Sequence, residues 1–472
     1  MGRNITNFLA PLRQIFPSGE ASRLSFYIII SVVISALIID TLLNTVADFI
    51  FEGLVTFWGV TLFFILASIY VLGQYIILQY LKARTKDARS KSPFLNATHK
   101  AVTVIQLFLS AILVYLIFQI TIAREYSLAH LILVTTVSYS LNAVLLLLFA
   151  GRLFKWFRSH KNSMVVMLYG ISAIMLALAV ILAMTADVRN FLIKETVITP
   201  QSPVVYPALD EGTFSTLLSD IYHYTDIAST LLVWISTVLL LHYYSNRLSK
   251  SGRVKYWILI TLPIIYYLST FVGFFDLYVA ESISEAYYFY LYISLNSTAA
   301  AILFGLAFRM VAKTIRHNSA VRDYMAISAF GFVLLFISNQ STLIASPYPP
   351  FGFFTVGFMG LSAYLIYVGI YSAAISMSED TKLRQSIRRS AIEDSKMLVS
   401  IGAAQIQEQL ERKVIGDAKE RAEKMTRETG VQLSLSEADM RMYLSNVMRE
   451  IRVLRNIDEI VNKGREILHN SV

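Results

Sequence analysis

Asp40, Asn44 and Asp48 fall at i, i+4 and i+8 in an otherwise apolar stretch, so a helix would carry them along one slowly drifting face. Two carboxylates and an amide on one face suit a polar path or a cation site inside a membrane bundle. A second placement is favoured, because Arg23 fixes the inner end of the helix. If the helix crosses at residues 24–43 with Arg23 at its inner end, Asp40 lies about one turn, roughly 5.4 Å, from the outer interface. Asp220, His223 and Asp226 form another set, carboxylate, imidazole and carboxylate at i, i+3 and i+6. Such ligands hold a divalent cation when they converge, and they equally begin a solvated helix. Asn142 and Asn296 lie near the middle of two apolar runs, with Gln74, Gln106 and Gln119 in two others. Amides at that depth either bond neighbouring helices, at about 1 kcal/mol each, or line a substrate site.

Much chemistry is excluded. The chain has no cysteine, which removes thiolate catalysis, iron–sulfur ligation and Cys-type zinc sites. There is no HExxH, no GxSxG with a partner histidine, no Walker motif and no dinucleotide fingerprint. His130 and His223 both fall near the outer surface, too shallow to face each other across a haem. The last apolar run, Phe353–Ile375, has no lysine for a retinal Schiff base. No catalytic residue and no cofactor is expected.

The elements that would position these residues are membrane helices. Of 472 residues, 56% are hydrophobic and only 15% charged, with a mean hydropathy of +0.57, against roughly 25% charged in a soluble domain. Ten runs reach the roughly 20 residues needed to cross the hydrocarbon. They are Leu24–Leu43, Leu54–Leu81, Val102–Ile122, Ser127–Phe149, Met164–Met184, Thr225–Tyr244, Trp257–Phe275, Tyr287–Phe308, Tyr324–Leu343 and Phe353–Ile375. Arg and Lys cluster before the first run and in every second connection, as at Lys82–Lys91, Arg152–Lys161, Arg247–Lys255 and Arg309–Arg322. Acidic residues such as Asp187, Asp210, Glu211 and Asp276 occupy the others. The positive-inside rule then puts both termini in the cytoplasm of a cell-membrane protein. The basic excess belongs to this topology, so no nucleic-acid partner is expected. The stretch 188–224, with Pro200, Pro203 and Pro207, is the one long external loop, and Ser346–Pro350 reads as a short stiff outer turn.

Residues 378–472 carry 33 of the 73 charged side chains. A stripe with spacings of mostly four runs from Leu383 to Met425, and Gly430 suits a C-terminal cap. Ser436 approximates a capping box, and Met440, Leu444, Val447, Ile451 and Leu454 alternate at four and three. The fold class is therefore an all-α integral membrane protein. A cytoplasmic segment 1–23 precedes a ten-helix transmembrane bundle at 24–377, and 378–472 form a cytoplasmic, coiled-coil-like helical tail. Beyond the lipid bilayer, that tail is the surface for self-association or a partner protein.

Ser140-Leu141-Asn142 is echoed by Ser294-Leu295-Asn296, and Ile171-Ser172-Ala173 by Ile327-Ser328-Ala329, which describes either a parallel repeat or chance similarity of apolar hairpins. The segments SEDTKLRQSIRRSA at 378–391 and TGVQLSLSEADM at 429–440 resemble an archaeal multi-pass membrane family with a helical cytoplasmic tail. The resemblance implies that architecture and no activity. Three functions stay open: a receptor-like or scaffolding protein acting through its tail, a secondary transporter or channel, and a membrane-embedded enzyme, for which the catalytic set is missing.

Overall fold

A computed structural model describes residues 20–45, 55–159, 164–192, 197–200, 204–205, 213–245, 298–310, 319–338 and 346–379, with short pieces between 251 and 262 and between 401 and 420. The helices are α1 (Glu20–Thr45), α2 (Phe57–Arg84), α3 (Lys86–Lys91), α4 (Pro93–Ile122), α5 (Leu128–Ser159), α6 (Met164–Leu192), α7 (Thr213–Ser245), α8 (Thr298–Met310), α9 (Ser319–Ser338) and α10 (Phe353–Glu379). Seven of them are long and apolar enough to cross a membrane, and the protein is an all-α membrane protein.

The apolar runs locate the hydrocarbon-crossing part of each helix and miss its ends. The run starting at Val102 belongs to a helix that begins nine residues earlier at Pro93, where the missing N–H of proline costs nothing and the Ser92 hydroxyl accepts from Leu95 N at 3.4 Å. The run ending at Phe149 continues to Ser159, and the one ending at Met184 continues to Leu192. Helical hydrogen bonding is made within the backbone and does not require apolar side chains, so it continues past the end of an apolar run. The sixth run falls within α7 and the ninth begins within α9, while α8 holds the end of the eighth. The seventh run lies mostly outside the described residues, which include residues 257, 258 and 260–262 as helix.

The chain divides into two compact units, Met1–Ile401 and Gly402–Val472. Most of the tail expected to be helical lies outside the described residues. Within it, residues 413–417 are helical.

In the first unit α10 is the central helix. Phe353 to Ile375 are buried without exception, and no other membrane-length helix among the described residues is buried so fully. Helices at the rim keep a lipid-facing stripe instead, as at Val104, Leu107, Val114 and Phe118 of α4. Close packing against α10 relies on missing side chains. A Cβ on Gly331 of α9 would stand 2.7 Å from the Ile366 backbone nitrogen, and one on Gly360 of α10 would stand 2.6 Å from Leu141 Cδ2 of α5. Between membrane helices, where lipid removes the hydrophobic drive, such backbone approach supplies the dispersion contacts that hold helices together. Aromatic rings fill the remaining space: Tyr70 meets Phe353, Phe354 and Phe358, and Phe26 stacks on Tyr80 at 3.9 Å.

Two short antiparallel ribbons tie the connections at one end of the bundle. Tyr126–Ser127 (β1) pairs with Val197–Ile198 (β2), and Val204–Val205 (β3) pairs with Ser346–Pro347 (β4). The stretch expected as a long loop at 188–224 is thus narrower. It contains the end of α6, two strands and the first turns of α7. At the opposite end, the Tyr324 hydroxyl of α9 donates to Arg84 O of α2 at 3.0 Å, and the Arg84 guanidinium lies 3.8 Å from the Asp323 carboxylate.

Candidate functional site

The start of α10 is built from residues far apart in the chain. Pro347 to Gly352 are all buried, so the stretch expected as a stiff outer turn is an inward plug under the ribbons. Tyr126 donates its hydroxyl to Pro347 O at 2.7 Å and stacks near Tyr348, whose hydroxyl donates to Ile120 O at 3.4 Å. Burial pushes both phenols above their ordinary range; the Tyr348 ring raises Tyr126 further, while Arg124 partly offsets the effect at Tyr348. Gly352 turns the chain into α10 with φ +92°, and a Cβ there would meet Asn44 Cγ at 2.9 Å. Both the left-handed backbone and the amide of Asn44 therefore demand glycine.

Asp40 sits beneath this turn. It is 0% exposed, and its oxygens accept from Gly352 N at 2.8 Å, Thr355 N at 2.9 Å and Thr355 Oγ1 at 2.7 Å. The Thr41 and Thr355 hydroxyls are 3.3 Å apart. The first amides of any helix lack intrahelical acceptors, and the macrodipole makes that end positive. A carboxylate from α1 thus caps α10 in trans. Such a bond to a charged group contributes about 1.5–3 kcal/mol, and its loss strands buried donors. Asp40 faces the bundle, and Asn44, one turn further, is brought to the same helix start.

No family model, no curated protein and no solved structure matches this chain.

The other expected site residues are scattered. Asp48 and Asn296 lie outside the described residues. Asp220 and His223 fall on α7, inside the helix and not ahead of it, with their side chains outside the description; Asp226 is half-buried on the same helix. Among the described residues no three His, Asp or Glu side chains gather as a metal site. Gln106 donates to Gly357 O of α10 at 3.3 Å, Gln74 donates to Ser110, and Gln119 donates to Tyr115 at 3.5 Å. These amides link helices or turns, as membrane amides commonly do. Asn142 of α5 is different: it is 0% exposed, and neither its amide nitrogen nor its oxygen has a hydrogen-bond partner among the described residues.

Sequence reasoning passed over Gly352, Thr355 and Tyr126, and also the buried His99–Tyr364 contact of 2.8 Å between α4 and α10. Only Gly352 left a trace, as a glycine directly after a proline-rich turn and before an apolar run.

Proposed function

We propose that this is a receptor- or sensor-like membrane protein, or a scaffold, in which α10 conducts a change from the outer plug to the cytoplasmic tail. The observation that carries this reading is the burial of α10 from Phe353 to Ile375, in a helix gripped at its start by Asp40 and unbroken to Glu379. A helix touching neighbours on every side registers a shift at the plug as a shift of its far end, because packed interiors have discrete arrangements and do not deform continuously.

The reading includes ten crossings, cytoplasmic termini and a cell-membrane location. Parity supports it. The ribbons hold residues 126–127, 197–198, 204–205 and 346–347 at one end. Three membrane-length helices, α1, α2 and α4, precede them, α5 and α6 lie between β1 and β2, and α10 follows β4. Between Val205 and Ser346 the chain must cross an even number of times, and α7, α8 and α9 make three. On this reading the fourth crossing is the apolar run Trp257–Phe275. The proposed sum is ten, with both termini on the side away from the ribbons.

The reading is tested on the full chain in proteoliposomes, naturally free of cysteine, carrying Met377→Cys at the inner end of α10 with an environment-sensitive fluorophore. Replacing Asp40 by Asn should shift the emission at position 377, about 36 Å from the start of α10 at roughly 1.5 Å of rise per residue from Phe353 to Met377. An unchanged spectrum would remove the conducting role. A transporter is the second reading, favoured by the unpaired Asn142, and solute uptake into the same vesicles is its signature.

A further inference from the structure

We infer that α5 carries, within the bundle, a binding site for a small uncharged hydrogen-bonding molecule, formed by Thr135, Ser138 and Asn142. Their exposures are 1%, 0% and 0%, and Thr135 Oγ1, Ser138 Oγ and both polar atoms of Asn142 have no hydrogen-bond partner among the described residues. Four orphaned atoms on one helix are not neutral decoration. A buried polar group left unpaired costs on the order of 1–3 kcal/mol, and mid-helix hydroxyls ordinarily return to the carbonyl four residues back. Thr136, next in the chain, does this to Ile132 at 2.8 Å.

The three residues share a face. At about 100° per residue, Asn142 and Thr135 lie roughly 40° and 60° to one side of Ser138, and the row rises about 10 Å along the axis. A contact on one flank and exposure on the far side fix where that face points. On one side Leu141 packs against Gly360 of α10. On the opposite side of the helix, Leu133, Ser140, Val144 and Leu147 are exposed. The row therefore faces the interior of the bundle, not lipid. Leu145 and Leu146 close it toward the other end of α5, both 2% exposed.

The chemistry selects the ligand class. Two hydroxyls and one amide supply donors and acceptors and no charge, so an ion would lack a counter-charge, whereas water or a small polyol or amide would pair with all three. Because Leu141 flanks the row beside Ser138 and rests on Gly360, occupancy bears directly on the α5–α10 contact. The Arg152 guanidinium, 4.4 Å from the Tyr371 ring, continues that contact eleven residues further along both helices.

The inference stands apart from the signalling role, since occupancy can be read whether or not the tail responds. The full chain in lipid nanodiscs is irradiated to generate hydroxyl radicals in ¹⁸O-labelled water. Bound molecules beside the row should label Leu141 and Tyr139, which bulk radicals do not reach because their exposures are 9% and 2%. Asn142→Leu should lower that labelling about tenfold, the effect of removing one bonded group worth about 1.4 kcal/mol. Thr135→Val/Ser138→Ala, which leaves Asn142 in place, should lower it as well, so the test does not hang on the folding of a single variant. Adding glycerol separates the sources. Suppression at Leu141 and Tyr139 beyond that at exposed Tyr224 indicates that a polyol enters, and equal suppression indicates water. Absent labelling in the unaltered chain, or labelling unchanged in both variants, would overturn the site.

Discussion

Asp40 and Thr355 meet across 315 residues of chain, the carboxylate accepting the Thr355 amide at 2.9 Å and its hydroxyl at 2.7 Å. The contact joins the end of one membrane helix to the start of the most buried one. A charge that would be costly in hydrocarbon is held by unpaired helix amides, and those amides would be costly without it.

Asp40→Ala should therefore lower stability by about 2–3 kcal/mol, because it strands buried donors, and Asp40→Asn by about half as much, since an amide oxygen still accepts but without charge. Thermal unfolding in detergent should rank the wild type above Asn and Asn above Ala. Equal midpoints for all three would show that the carboxylate does not cap α10.

Gly352→Ala introduces both a left-handed alanine and a clash with Asn44. Backbone strain of about 1–2 kcal/mol adds to the steric term. Asn44→Ala in the same chain should relieve the clash alone, so the double variant recovers part of the loss. Full recovery would mean that the turn tolerates a side chain after all.

Tyr126 titrates well above its ordinary 10.0 because it is buried, so the folded state holds its proton more tightly than the unfolded chain. Its contribution is fully present below pH 10 and is lost as pH rises from there toward the folded value. Tyr126→Phe should cost about 1 kcal/mol at neutral pH, from the lost bond to Pro347, and should flatten the alkaline loss by up to about 1.4 kcal/mol per pH unit. Denaturation midpoints at neutral and alkaline pH measure both effects; parallel curves would contradict the assignment.

The proposed orientation puts position 202 outside and position 251 inside. In intact cells an impermeant thiol reagent should modify Ser202→Cys and spare Ser251→Cys. The reverse pattern would invert the topology, and labelling of both would break the parity of ten crossings.

Apolar runs of membrane length were readable as helices because each depends only on its own residues: a helix satisfies its backbone internally, and hydrocarbon selects the side chains. Residues 164–184 are an example, with α6 beginning at the expected Met164. Helix ends were less readable, as Pro93 and Ser159 show, since the lipid signal stops where helical bonding does not.

What the sequence by itself determined is the membrane class, the location of most crossings and the scarcity of charge between them. Tertiary structure alone decided which helix is central and what each polar residue does. Asp40 and Asn142 are both polar residues in apolar runs, yet one meets the amides of Gly352 and Thr355 and the other meets no protein partner among the described residues. The difference lies in neighbours supplied by distant parts of the chain, and hydrogen bonding depends on those neighbours at distances that no local pattern encodes.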